Sequence, residues 1–116
     1  MITNKFKELI ATAINGSGFT APTYTAWGDD GTDETVNDTS LGNELLRDGK
    51  ESSIRQNNVV EILGSLGTSE LVGETIREAG LFDAASDGNM CIRGTFADIE
   101  KTNQFEIESI YIISVN

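Results

Sequence analysis

At 116 residues the chain is about one domain's worth, enough to close a single modest core but not two. Nineteen acids, eight bases and no histidine give a net charge of −11, a field that repels phosphate backbones and anionic headgroups, so nucleic acid and membrane surfaces are excluded as partners. No run reaches the roughly 20 apolar residues of a membrane-spanning helix, and Lys5, Lys7 and Glu8 interrupt the place of a signal-peptide core; the chain is expected to be soluble and unprocessed.

The first segment sets Ile2, Phe6, Leu9, Ile10, Ala13 and Ile14 on one stripe of a 3.6-residue helix, with Lys5, Lys7 and Glu8 off it. The spacing predicts a helix over 1–15, ended by Gly16 and Gly18, whose apolar stripe packs on a sheet or on a neighbouring subunit. After Pro22, Tyr24, Ala26 and Trp27 make a short β-like run, and the acidic stretch 29–40 reads as a long solvated loop. The segment LGNELLR fits either a short helical turn or the start of a strand, and Asp48-Gly49 is a turn signal in front of KESSIRQ.

Asn57-Asn58 marks a hairpin between SSIRQ and VVEILGSL, because asparagine tolerates positive φ better than most residues. Thr68 to Glu70 turn the chain into LVGETIREAGLF, and Asp87-Gly88 turn it again into MCIRGTF. A loop of Ser86 to Asn89 would put Phe82 opposite Arg93 and Gly80 opposite Thr95. Glycine at position 80 lets a neighbouring group pack closely, while Leu81 and Phe82 supply apolar area to two faces.

The last strand, Phe105 to Val115, alternates: Phe105, Ile107, Tyr111, Ile113 and Val115 share a core-facing side, while Glu106, Glu108, Ile110 and Ile112 share the other. On that second side two acids give way to two isoleucines, so Ile110 and Ile112 need cover, and a second copy of the chain is the expected cover. One helix and six or seven short strands at intervals of about 8 to 12 residues point to a mainly β fold. The expectation is an antiparallel, jelly-roll-like β-sandwich over 22–116, in one domain with the N-terminal helix.

Little in the chain carries chemistry. Cys91 is the only cysteine, so no internal disulfide forms; set between Met90 and Ile92 with no histidine to activate it, it reads as a buried structural thiol. The carboxylates Asp29, Asp30, Asp33 and Glu34 lack the spaced acids and terminal glutamate of a calcium loop, so no metal and no cofactor is expected. Arg77 and Glu78 point to opposite faces of a strand, and ion pairing with Arg93 or another neighbour accounts for them. No phosphate-binding glycine loop, zinc motif or nucleophile elbow occurs, and an enzyme is not expected.

Taken in order, AWG at 26–28, LGNE at 41–44, EAGLF at 78–82 and RGTF at 93–96 resemble the small tail-fibre or tail-collar type structural proteins of tailed bacterial viruses. That resemblance spans nearly the whole chain and implies a virion module, assembled in the host cytoplasm, that anchors a fibre or spike or decorates the particle without catalytic residues. Its implied partners are further copies of itself, a trimer being favoured, and other virion structural proteins. With the chain ending at Asn116, without shaft or tip, an adaptor role is expected rather than receptor recognition. The competing reading is a lectin-like carbohydrate-binding module in which Tyr24 and Trp27 stack on sugar rings; otherwise Trp27 is a core or interface anchor.

Overall fold

The computed structural model describes residues 1–116 as one helix, α1 (Asn4–Ile14), followed by seven strands. These are β1 (Tyr24–Gly28), β2 (Glu44–Gly49), β3 (Ser52–Gln56), β4 (Val59–Leu66), β5 (Thr75–Phe82), β6 (Met90–Glu100) and β7 (Ile107–Ser114). All pairings are antiparallel, in a four-stranded sheet of order β2-β1-β5-β6 and a three-stranded sheet of order β3-β4-β7. The sheets pack face to face as the expected sandwich, and the ambiguous LGNELLR segment supplies β2.

The closest approach of the sheets is where β1 crosses β4. A Cβ on Gly64 would lie 2.5 Å from Thr25 Oγ1, so only glycine fits there. To one side of this crossing Trp27, Leu66, Ile76 and Ala79 make one core cluster; to the other, Phe6, Ile62, Leu81, Cys91, Ile92 and Tyr111 make a second. A third cluster, of Ala26, Leu41, Phe82 and Met90, lies on the outer face of the four-stranded sheet.

The helix seals one end of the sandwich through the buried Phe6, with the partly buried Ile10 packed against the same cluster. Thr3 caps it, accepting from the Phe6 amide at 3.1 Å while its hydroxyl donates to the Met90 carbonyl at 2.7 Å. That cap excludes Ile2 from the predicted helical stripe: Ile2 instead bridges Ile92 as an added antiparallel residue on the edge of β6. Leu9, Ile10 and Ala13 are half-buried and Ile14 is exposed, so the stripe is covered only near its start. Gly16, at φ 90°, ends the helix as expected.

The Asn57-Asn58 hairpin forms, with Asn57 at φ 54° and Gln56 opposite Val59. Asp87 and Gly88 turn the chain with φ of 52° and 68°, but the register they set differs from the expected one: Gly80 faces Arg93 and Phe82 faces Met90. The Asp83 side chain explains this. It accepts from the Asn89 amide at 2.7 Å and from the Asn89 side chain at 2.9 Å, closing the loop at residues 83 and 89, whereas the expected loop of Ser86 to Asn89 would be closed by residues 85 and 90.

Candidate functional site

The acidic stretch 29–40 is the expected loop, exposed over most of its length, but it is fastened at several points rather than free. It folds back over the four-stranded sheet, where Leu41 packs on Ala26 and Phe82, and where a Cβ on Gly80 would come within 2.9 Å of Leu41. What holds it is Glu78, a carboxylate with 0 % exposure that accepts from three main-chain amides of this segment: Asp30 at 3.0 Å, Gly42 at 2.8 Å and Asn43 at 2.8 Å. Arg93 Nε donates to the same carboxylate at 3.1 Å, and its two other nitrogens reach Asp38 at 3.0 Å and the Asp30 carbonyl at 3.3 Å.

Asp38 in turn accepts from the Thr35 amide and hydroxyl, both at 2.9 Å. Burial works against ionisation of Asp38, but the Thr35 hydrogen bonds and then Arg93 outweigh it and hold this carboxyl below its ordinary range. The Thr95 hydroxyl does the same for Glu34, with its own main-chain amide adding to the effect. The Arg93 guanidinium is held further up by Glu78 and Asp38, against the opposing effect of burial. Every oxygen of Glu78 is engaged, no nucleophile adjoins it, and the cluster works as a fastening for the loop.

Burial first, then repulsion from Asp83, pushes the Cys91 thiol up to about 12, so it is protonated and unreactive at neutral pH. No three carboxylate or cysteine side chains converge to hold a metal ion. No helix is long and apolar enough to cross a membrane.

Tyr24 and Trp27 do not form a sugar-stacking platform. Three residues apart on β1, they lie on opposite faces of the sheet: Tyr24 packs on the outer cluster with Leu41, and Trp27, 1 % exposed, sits between the sheets. The anchor reading holds for Trp27, which packs on Leu66, Ile76 and Ala79.

Ile110 and Ile112 stand on the outer face of the three-stranded sheet, 58 % and 61 % exposed, as the alternation requires with Tyr111 turned inward. The pairing registers place Ile112, Glu61 and Ile54 in one row across β7, β4 and β3, and Ile110, Leu63 and Ser52 in the next. Ile54 is 64 % exposed. Sequence reasoning missed Ile54 and Leu63, although counting back from the Asn57-Asn58 hairpin puts Ile54 opposite Glu61. No family model matches the chain, and no curated protein matches it.

Proposed function

We propose that this protein is a non-enzymatic structural subunit of a tailed-virus particle that self-associates through the outer face of its three-stranded sheet and acts by packing, as an adaptor or decoration. The observation that carries the self-association is the uncovered patch of Ile54, Ile110 and Ile112, spread over two adjacent rows, on a chain of net charge −11. Neither the helix nor any loop covers that face, and each isoleucine removed from water contributes about 1.5 to 3 kcal/mol. Repeated around a closed assembly, that gain offsets the mutual repulsion of acidic subunits, which salt weakens further. The ordered likeness of AWG, LGNE, EAGLF and RGTF to tail-fibre and tail-collar proteins is what ties such an assembly to a virion.

The test compares the parent with the double variant Ile110→Lys, Ile112→Lys by light scattering at low and moderate salt. Oligomers from the parent, strengthened by salt, and folded monomers from the variant support the reading. A parent that stays monomeric at high concentration in both salts overturns it. Co-assembly with virion proteins in infected-cell extracts, lost in the variant, tests the location.

A further inference from the structure

An apolar groove of about 560 Å³ opens between the sheets on the side where β6 and β7 are both edge strands. Phe96 and Ile99 of β6 and Ile107 and Tyr111 of β7 form its walls, over Trp27 and Ala79. The N-terminal residues pair with β6 only as far as Arg93, so from Gly94 onward that edge carries no partner; β7 carries none beyond β4. Alternate residues of such edges present unpaired amides and carbonyls.

Two further features of the groove bear on an occupant. Gly94 lies inside β6 opposite Ala79, with no positive φ to require glycine, and a Cβ there would meet nothing within 4 Å. A strand glycine of this kind marks a place where another backbone or ligand comes close. In addition Trp27 Nε1, on a groove-lining residue, is buried without a hydrogen-bond partner.

We infer that the groove receives an extended segment of another protein, neutral or basic, with apolar side chains at alternate positions, which adds a strand beside β7. The groove follows β7 continuously from Ile107 to Ile112, about 17 Å at strand rise, which suits an extended backbone. Such a segment brings alternate apolar side chains for the walls and main-chain partners for the free edge of β7. A second copy would set its own net charge of −11 against Glu100, Glu106 and Glu108 at this edge, which disfavours pairing β7 with another β7. Charge selects the same kind of partner: Glu108 lines the groove and Glu100 and Glu106 stand at the strand ends.

Trp27 is the only tryptophan and lines the groove, so its emission reports occupancy. The probes are the capped peptide Lys-Val-Thr-Val-Thr-Val-Lys, the same peptide with glutamate at both ends, and a third with proline at the central valine. Saturable emission changes are expected for the lysine peptide, at least tenfold tighter than for the glutamate peptide at low salt, with hydrogen-exchange protection of 107–112. The proline peptide and the Gly94→Leu variant, checked as folded by circular dichroism, should lose binding. Ile54→Lys, away from the groove, should weaken self-association yet keep peptide binding, which separates this inference from the outer-face reading. Absence of any saturable change, binding that survives in Gly94→Leu or with the proline peptide, or binding only of a neutral naphthylamine dye overturns it. Trp27 emission that changes with protein concentration alone would place a second copy in the groove instead, and also overturns it.

Discussion

Arg93 Nε lies 3.1 Å from Glu78 Oε1 beneath the folded-back acidic segment, and this ion pair joins the outer face of the four-stranded sheet to the loop that covers it. Removing the Glu78 charge leaves Arg93 with Asp38 as its remaining counter-charge, so the loss falls toward the lower end of the range, about 3 to 5 kcal/mol, that fully breaking a buried pair costs. Glu78→Gln should therefore lower stability by that order in urea denaturation. It should also admit protease to 29–43, because the Asp30, Gly42 and Asn43 amides lose their charged acceptor. A variant as stable as the parent would show that Leu41 and the Arg93 and Thr95 contacts hold the loop without Glu78.

The acid limb of the stability curve follows from the same cluster. Asp38 and Glu34 have folded values below their unfolded ones, so what they contribute is complete above the unfolded carboxylate range, about pH 4, and is lost as pH falls through the folded values. Asp48 has the opposite sign: sharing a hydrogen bond with Glu70, together with burial and repulsion from Glu70 and Glu51, raises it, so its contribution is present at low pH and lost as pH rises through the raised value. Asp38→Asn should thus lower the melting temperature at pH 7, and Asp48→Asn should raise it. Both differences should shrink toward pH 3; differences independent of pH would refute the assignment.

The sandwich was legible because its signals are local: the Asn57-Asn58 and Asp87-Gly88 turns and the alternation of β7 each act within a few residues. The β5–β6 register was not, because it depends on Asp83 reaching across to Asn89, a side-chain choice that turn chemistry alone does not encode. That the acidic stretch is an exposed loop was legible, but its fastening was not, for a related reason. Its covering role rests on Glu78 and Arg93, more than thirty residues away in sequence, and composition registers only that the stretch is polar. The opposed directions of Tyr24 and Trp27, in contrast, follow from their spacing on a strand.

Where the sheets meet, Gly64 and Thr25 leave no space. A methyl at 64 would fall 2.5 to 2.7 Å from three atoms of Thr25, which is itself fully buried and unable to withdraw. Gly64→Ala should cost about 1 to 3 kcal/mol by overpacking. Adding Thr25→Ala removes the opposing atoms, and with them a buried hydroxyl that has no partner, so the double variant should regain most of the loss. Additive losses in chemical denaturation would rule out this contact as the cause.

The helix makes a contrast between two apolar side chains of the same stripe. Phe6 is buried among Ile62, Leu81, Cys91, Ile92 and Tyr111, so Phe6→Ala should cost about 3 to 5 kcal/mol. Leu9 is only half-buried, and Leu9→Ala should cost clearly less than the 2 to 5 kcal/mol typical of a fully buried leucine. Equal losses would mean that the later turns of the helix are covered, in solution, by something beyond the monomer.

Glu61 is the most demanding residue on the outer face. It lies between Ile54 and Ile112 in the pairing register, so any partner that covers both isoleucines also takes this carboxylate from water. Without a cation opposite it, that burial costs several kcal/mol and cancels much of what the isoleucines gain. Glu61→Gln keeps the shape and removes the charge. If self-association uses this face, the variant should assemble at a lower concentration than the parent in sedimentation at low salt, and the gap should narrow as added salt screens the repulsion between parent subunits. Weaker assembly in Glu61→Gln would instead mean that the carboxylate meets a basic group of the neighbouring copy. Lys50, which precedes β3 and forms no ion pair within the subunit, would then be the residue to reverse in charge. Identical assembly of parent and variant would place Glu61 in solvent and the interface away from the Ile54–Ile112 row.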